Sequence, residues 1–341
     1  MYNGVKVFDS HGHVSAPTAT RAFLAGLIAS NTARKSPLAP GGSRATGRGE
    51  GQLLSDEHFQ ITAKMHADFM SERNIDVQII GPRPFMMLGF MQPHLLRSWT
   101  AFVNDSIHKQ VTFFPDRFIG AAQLPQESDA PDLSHCLPEL ERCHKELGFQ
   151  AVYLSPDPAG LRTTPGMNEA YWYPIYEYCQ RNNLPIIVHG TNCQDKRFYP
   201  IPENYQVGFM QEQFLATQLL SHTDVFVKFP DLRVMVCHGG GAPNRFIKTD
   251  HHLGQADYSK NLFFDTCVLD IPVLEASIKQ KGVGNTLFGT EAPGSGGAVR
   301  PETGKTSDDL VPIISSFNWL TEDDKIAIFN KNPLKFCTAF K

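Results

Sequence analysis

The sequence predicts a (β/α)8 barrel of the TIM type, with a long loop insertion after the first strand and extra helices at the C-terminus. Eight short runs rich in β-branched and aromatic residues are separated by stretches with helical periodicity. Several runs are apolar throughout, which is typical of parallel strands that are buried on both faces. An open doubly wound sheet is the alternative, but no Gly-x-Gly-x-x-Gly turn follows an early strand.

The predicted strands are short, as in most globular proteins. They cover residues 5–13, 77–80, 118–122, 151–154, 185–189, 233–238, 262–266 and 286–291. Helical patterns follow at 59–70, 99–107, 137–147, 171–178, 209–219, 271–281 and 310–317, with one or two further helices at the C-terminus. Because strands and helices alternate along the chain, parallel strands with crossover helices are expected.

The segment 31–52 contains two prolines, five glycines and no apolar periodicity, so it is predicted to be a loop. It follows the first strand at one end of the barrel. It is therefore either a mobile lid over that end or an inert surface loop. Closed α/β barrels often have the length of this chain, so residues 1–341 are predicted to form a single domain.

The composition is that of an ordinary globular protein, with 41% hydrophobic and 19% charged residues. A net charge of −4 gives no reason to expect nucleic acid or an anionic membrane as a partner. No apolar run approaches the roughly 20 residues that span a bilayer. Residues 1–4 lead straight into the first strand, which argues against a signal peptide. The seven cysteines form no Cys-x-x-Cys pair, so reduced thiols in a cytoplasmic protein are expected.

The first strand ends in two histidines, His11 and His13, separated by Gly12. Residues i and i+2 of a strand point the same way, so the two imidazoles should converge on one point. Gly12 would let another group approach the backbone closely. Pairs of imidazoles suit a borderline metal ion such as zinc. Two surface histidines after a strand are the alternative interpretation.

Three further candidates end other predicted strands, where barrel enzymes keep their catalytic groups. They are His189 on strand five, His238 on strand six and Glu291 on strand eight. Catalytic zinc sites commonly combine three protein ligands with a water. We therefore predict His11, His13 and His189 as ligands, with Glu291 as the fourth ligand or as a base. The other histidines lie on predicted helices or loops and are expected to have structural or solvent roles.

These residues resemble the metal-dependent amidohydrolase superfamily, in the branch that includes aminocarboxymuconate-semialdehyde decarboxylase. Within that branch, stretches along the whole chain are similar to the 4-oxalomesaconate hydratases. They are 81–83, 124–126, 139–143, 146–149, 156–158, 171–174, 238–242, 263–267, 288–291, 297–299 and 303–304. Glu291 is the most informative match, because most of the branch carries Asp at this strand end and the hydratases carry Glu.

The resemblance implies one divalent metal ion, zinc in the first place with manganese as the alternative, and a homodimer or higher homo-oligomer. The branch lacks the carboxylated lysine of binuclear relatives, and no lysine follows strand four here. The hydratases keep a functional tyrosine in the loop after strand five, where this sequence matches poorly. Tyr205 is the candidate for that role and Tyr199 the reserve. An ordinary packed loop tyrosine is the alternative for either.

The resemblance also implies a reaction in aromatic-compound degradation: addition of water across a double bond conjugated to a ketone in a small anionic oxo-di- or tricarboxylate. The metal would make hydroxide available, Glu291 would accept and return the proton, and His238 would polarise the ketone or stabilise the enolate. Arg83 would bind a substrate carboxylate through two parallel hydrogen bonds, or form a structural salt bridge.

Two other interpretations remain. The same centre could decarboxylate a semialdehyde or open a lactone or amide, although Glu291 favours hydration. A barrel that binds a metal or ligand without catalysis is the third interpretation, and converging ligands with an open coordination position argue against it.

Overall fold

Eight parallel strands form one sheet in the order in which they occur along the chain, which confirms the predicted barrel. The strands are β1 (Phe8–His13), β2 (Val77–Gly81), β3 (Phe118–Gln123), β4 (Ala151–Leu154), β5 (Ile186–Val188), β6 (Val234–Val236), β7 (Leu262–Asp265) and β8 (Thr286–Leu287). Two backbone hydrogen bonds join β1 to the segment that directly follows β8: Ser10 N–H donates to Phe288 O (2.8 Å) and Glu291 N–H to His11 O (2.8 Å). These bonds bring Glu291 beside β1.

The computed structural model describes residues 1–17, 20, 55–191, 193–198, 200–201, 204–247, 249–251 and 258–340. For residues 204–206 it describes the backbone but not the side chains. The predicted loop 31–52 and Tyr199 lie outside these residues. No helix in the described segments is long and apolar enough to cross a membrane.

Helices cover the outside of the strands, and three short ones near the C-terminus confirm the predicted extra helices. They are α1 (Asp56–Glu72), α2 (Pro93–Phe113), α3 (Leu137–Lys145), α4 (Tyr173–Arg181), α5 (Asn204–His222), α6 (Val225–Lys228), α7 (Ile271–Lys281), α8 (Leu310–Ser315), α9 (Glu322–Ile326) and α10 (Asn332–Phe336). Several begin at a residue that caps the free N–H groups of the first turn. Ser55 accepts from His58 N at α1, and Thr321 forms a capping box at α9.

The strands separate two buried layers, because successive side chains point to opposite faces. Phe8, Ile79, Tyr153 and Phe263 belong to the cluster inside the barrel. Their sequence neighbours, such as Val7, Ile80 and Phe264, pack with the helices in the outer cluster. Val77 and Ile79 both belong to the inner cluster, so Gln78 between them faces the helix layer.

The strands are shorter at their carboxyl ends than predicted. The predicted strands ended at His189, His238 and Glu291, whereas the ladders end at Val188, Val236 and Leu287. The three side chains therefore lie one, two and four residues beyond their strands, at the mouth of the barrel. Beyond the ends of β6 and β8, the backbone adopts left-handed conformations at His238 (φ 54°) and Glu291 (φ 60°). The start of the first strand was also predicted too early, since Val5 pairs with Tyr2 in a turn.

Candidate metal centre

The four predicted ligands, His11, His13, His189 and Glu291, lie together at the mouth of the barrel. One ligand atom from each residue lies within 4.8 Å of the others, and all four residues are buried. The imidazole rings of His11, His13 and His189 are 5.1 Å apart, centroid to centroid, in each of the three pairs. The rings meet edge to face rather than stacking, so their nitrogens converge.

Gly12 lies between two of these ligands for a steric reason. A Cβ at this position would lie 2.3 Å from Cδ of Gln78 on the neighbouring strand. Gln78 is thus the group that comes close to the backbone. The pairing of β1 with β2 is also irregular between Asp9 and Gly12. This irregularity lets His11 face the barrel mouth while Asp9, two residues earlier, contacts Gln78 on the helix side.

Hydrogen bonds hold the outer nitrogen of each ligand imidazole. His13 Nδ1 donates to Pro82 O (2.7 Å) and His189 Nδ1 donates to Gly190 O (2.7 Å). A carbonyl only accepts, so these contacts place the proton on Nδ1 and leave Nε2 with a free lone pair. His11 Nδ1 contacts the Asp265 carboxylate at 2.6 Å. In metal sites, such bonds to the outer nitrogen fix the tautomer of the histidine and leave the other nitrogen for the metal ion.

Burial keeps two of the imidazoles uncharged. It lowers the pKa of His13 well below its ordinary value and lowers the pKa of His189 to about 4. Burial also lowers the pKa of His11, but the bond and charge of Asp265 raise that pKa by more. For Glu291, burial raises the pKa of the carboxyl, and the contacts with the imidazoles of His13, His189 and His238 lower that pKa by more.

The donor set fits a divalent cation. Within the segments that the structure describes, the Nε2 atoms of His11 and His189 are buried and have no hydrogen-bond partner. Glu291 Oε1 lies 3.4 Å from His13 Nε2 and 3.6 Å from His189 Nε2. Atoms bound tetrahedrally at about 2.0–2.1 Å from zinc are separated by roughly 3.4 Å. Lone pairs that face one another at this distance repel unless a cation lies between them, so these residues suit a zinc-like ion.

Comparison with known proteins assigns the family. The family described as Amidohydrolase matches residues 8–336, nearly the whole chain. The chain belongs to the amidohydrolase family. A curated relative, the 2-keto-4-carboxy-3-hexenedioate hydratase of Sphingobium sp. (strain NBRC 103272 / SYK-6), is 30% identical over 300 residues, covering 82% of this chain and 83% of the relative. A 2-amino-3-carboxymuconate-6-semialdehyde decarboxylase of Dictyostelium discoideum is 24% identical, covering 78% and 74%.

A solved structure also resembles this amidohydrolase along its length. It is the 4-oxalomesaconate hydratase LigJ from Rhodopseudomonas palustris, with a TM-score of 0.79 and 28% sequence identity. The alignment covers 98% of this chain and 96% of that one. The predicted resemblance to the amidohydrolases and to their hydratases is therefore confirmed.

His238 lies beside the four candidate ligands, with Nε2 3.8 Å from Glu291 Oε1. Its ring stacks on Phe209, and its Nδ1 contacts the Gln213 side-chain amide at 3.0–3.1 Å. The left-handed backbone of His238 is a strained conformation, and such strain is common at functional sites. The turn continues through three glycines against α5, and at Gly241 a Cβ would lie 2.4 Å from Phe214 N.

Arg83 follows β2 at the same rim. Its Nε donates to Val14 O (3.0 Å) and its Nη2 to Pro293 O (3.1 Å), so it links the segments that follow β1 and β8. Among the described residues, Arg83 also lines a cavity of about 420 Å³. Gly294 lines the same cavity and lies against Glu291, since a Cβ on Gly294 would be 3.0 Å from Glu291 Cγ. The cavity thus borders the candidate centre.

The predicted role of Tyr205 stays a prediction. The residue lies in the first turn of α5, and its side chain is outside the part of the chain that the structure describes. The structure brings the other predicted site residues together, but the roles assigned to them in binding metal or substrate and in catalysis also stay predictions.

Sequence reasoning missed four side chains around the centre. Asp265 is the last residue of β7, so its position at a strand end is the same signal that identified His189. Its carboxylate contacts His11 Nδ1 and orients that ring. Ser295 Oγ donates to Glu291 Oε2 (2.6 Å), and Cys267 Sγ lies 4.0 Å from the same oxygen. Asp9 could have been noticed as a carboxylate within an apolar strand. Ser295 and Cys267 lie in turns, where the sequence carries no comparable signal.

We expect about one tightly bound divalent ion per chain. Three groupings of possible metal ligands occur in the described segments, and each of them includes His11. Because Asp265 occupies Nδ1 of His11, a single nitrogen remains for coordination, and it can serve one ion at a time. Elemental analysis of the purified protein measures this ratio, and two tightly held ions per chain would contradict it.

Proposed function

We propose that the whole chain, residues 1–341, acts as a hydratase that adds water to a conjugated carbon–carbon double bond of an oxo-di- or tricarboxylate. The observation that carries this proposal is the position of the Glu291 carboxylate, which lies among the imidazoles of the candidate centre. The chain that presents it is 30% identical to a keto-carboxyhexenedioate hydratase. A substrate of aromatic-compound degradation, like those in the names of the related hydratases, is part of the proposal.

His11, His13 and His189 hold the metal ion in this proposal, and Glu291 lies beside these three ligands as the base. Zinc is the preferred ion because imidazole nitrogens and one carboxylate oxygen suit it, and manganese is the alternative. Such an ion supplies Lewis-acid chemistry, which lowers the pKa of water and polarises a carbonyl oxygen.

Glu291 acts as the general base. Its Oε1 faces the imidazoles, and the hydroxyl of Ser295 holds Oε2, so the carboxylate has one oxygen directed into the site. Glu291 accepts a proton from water as the water oxygen bonds to one carbon of the double bond. It then returns a proton to the other carbon, which completes the addition.

His238 stabilises the negative charge that develops on the substrate oxygen. For this role the proton must lie on Nε2, the nitrogen that faces Glu291. The Gln213 amide allows this tautomer, because its N–H group, 3.0 Å away, can donate to Nδ1. Hydrogen-bond donors aimed at a developing oxyanion are a large term in enzyme catalysis.

Arg83 binds a carboxylate of the substrate in the cavity beside Glu291. The guanidinium is a charged group at the wall of this cavity, and its bonds to the carbonyls of Val14 and Pro293 hold it there. Replacement Arg83→Lys keeps the charge but removes the planar pair of donors. We expect KM to rise about 10- to 100-fold with a smaller change in kcat, as for loss of a charged hydrogen bond. Steady-state kinetics measures both, and a lowered melting temperature with unchanged KM would leave Arg83 a structural link only.

An ultraviolet assay tests the proposed reaction. Conjugated oxo-di- and tricarboxylates lose their absorbance when water adds to the double bond. We expect the protein to bleach such a substrate, metal-depleted protein to lose this activity, and added zinc or manganese to restore it. No bleaching by the metal-loaded protein across this substrate class would refute the proposal.

A further inference from the structure

A chain of buried polar side chains lies behind β1, between the strands and the helix layer. It runs from Asp9 on β1 through Gln78 on β2 to His66 on α1, and then to Gln110 on α2. All four are at most 2% exposed. Polar groups buried in an apolar layer are costly unless they are fully hydrogen-bonded. These groups bond to one another and to the segments that carry the metal ligands.

Asp9 joins the two segments that carry His11 and Glu291. Its Oδ1 accepts from His11 N (3.0 Å) and Thr290 N (3.1 Å), and its Oδ2 accepts from Thr290 Oγ1 (2.6 Å). Thr290 directly precedes Glu291. The Asp9 carboxylate therefore fixes the backbone at His11 on β1 and the backbone next to Glu291 after β8. Burial raises the pKa of Asp9 to about 6.

Gln78 holds the Asp9 carboxylate in place. Its Nε2 donates to Asp9 Oδ2 (2.8 Å) and to Ala292 O (2.8 Å), on the far side of Glu291. Both of these partners accept, so the amide nitrogen must point towards them and Oε1 must point towards α1. Contact with Gly12 prevents the side chain from moving towards β1.

His66 supplies the donor that this orientation of Gln78 requires. The Oε1 of Gln78 requires a donor, and His66 Nε2 lies 2.8 Å away, so the proton of this imidazole is on Nε2. Its Nδ1 then accepts from Gln110 Nε2 (2.8 Å), and Ser15 Oγ lies 3.1 Å from the same nitrogen. Burial lowers the pKa of His66 to about 3, so the ring stays neutral. Each hydrogen bond in this series of side chains therefore has one direction: Gln110 donates to His66, His66 donates to Gln78, and Gln78 donates to Asp9.

We infer that His66 is a positioning residue for the metal centre, acting through Gln78 and Asp9 on the segments that carry His11 and Glu291. Its N–H holds the Gln78 amide in place, the amide holds the Asp9 carboxylate, and the carboxylate holds the segment of His11 against the segment of Glu291. Partners of this kind behind metal ligands typically change metal affinity or activity about 10- to 100-fold when lost. The effect on turnover rests on the proposed function, whereas the effect on metal affinity does not.

Two substitutions at position 66 separate hydrogen bonding from packing. His66→Phe keeps a ring against Phe118, whose centroid is 4.9 Å from that of His66, but removes the donor to Gln78. His66→Gln loses the ring and keeps an N–H donor at a similar reach from the backbone. We expect zinc affinity, measured by competition with a chelator and without substrate, to fall about 10- to 100-fold in His66→Phe. His66→Gln should stay much closer to wild type.

Asn104→Ala is the matched control. It removes a buried polar link between α2 and β3, where Asn104 bonds Gln123 at 2.9–3.0 Å, without touching β1 or β8. We expect it to lower the melting temperature but not zinc affinity. Combining His66→Phe with Asp9→Asn should weaken zinc binding by less than the product of the single effects, because both break one chain. Wild-type zinc affinity in His66→Phe, or a greater loss in His66→Gln than in His66→Phe, would overturn the inference.

Discussion

Replacement Glu291→Gln should lower kcat about 10²- to 10⁴-fold while the metal stays bound, because general acid–base groups contribute by that factor. Glutamine keeps the size and one acceptor oxygen but cannot accept a proton from water. His11, His13 and His189 remain as ligands, and each has its outer nitrogen held by a hydrogen bond. Metal content and kcat measured on the same preparation test both parts of this expectation.

Ser295→Ala provides the control for Glu291. It removes the hydroxyl that donates to Oε2 at 2.6 Å but leaves the carboxylate itself intact. We expect kcat to fall about tenfold, which corresponds to the loss of a single hydrogen bond to a charged group. A Glu291→Gln protein that is poor in metal and recovers activity with excess zinc would instead make Glu291 a ligand and not a base.

Replacement His189→Ala should abolish turnover and weaken metal binding by more than about 100-fold, which exceeds the usual effect of losing a supporting group. The side chain is fully buried, and its Nε2 has no hydrogen-bond partner among the residues that the structure describes. A metal ion accounts for the position of that nitrogen, and the His189→Ala variant keeps only the imidazoles of His11 and His13 as nitrogen ligands. Chelator competition gives the affinity, and the bleaching assay gives the turnover.

His144→Ala is the matched histidine control for this experiment. His144 lies in the outer layer on α3 and contacts the hydroxyl of Tyr178 at 3.2 Å. We expect its loss to change neither metal content nor turnover. If His189→Ala kept its metal and its activity, the assignment of the candidate centre would be wrong.

The fold was predictable because strand identity depends on local composition. Apolar runs such as 185–188 and 234–236 are too short for a helix and are bounded by turn residues, so each run indicated a strand without knowledge of its neighbours. Strand order then followed from the rule that crossovers join parallel neighbours. The same logic brought His189 and Glu291 to one end of the barrel.

The details of the centre depended on features that the sequence does not encode locally. A strict two-residue alternation would have placed Asp9 on the same face as His11, whereas the irregular pairing before Gly12 turns Asp9 towards Gln78. His238 reaches the site through a left-handed turn beyond its strand. The sequence predicts only a structural or solvent role for His66, as for the other histidines on predicted helices. Its connection to the centre is not visible locally, because its partners come from three other segments of the chain.

The most direct test of the proposed hydration is the composition of the product. The metal-loaded protein is incubated with a conjugated oxo-tricarboxylate in water enriched in oxygen-18, and the product is analysed by mass spectrometry. Hydration predicts a product that has gained one water, carries the heavy oxygen in a new hydroxyl group and retains every carboxyl group. A product that has lost carbon dioxide and has no new hydroxyl group would contradict hydration and identify a decarboxylase.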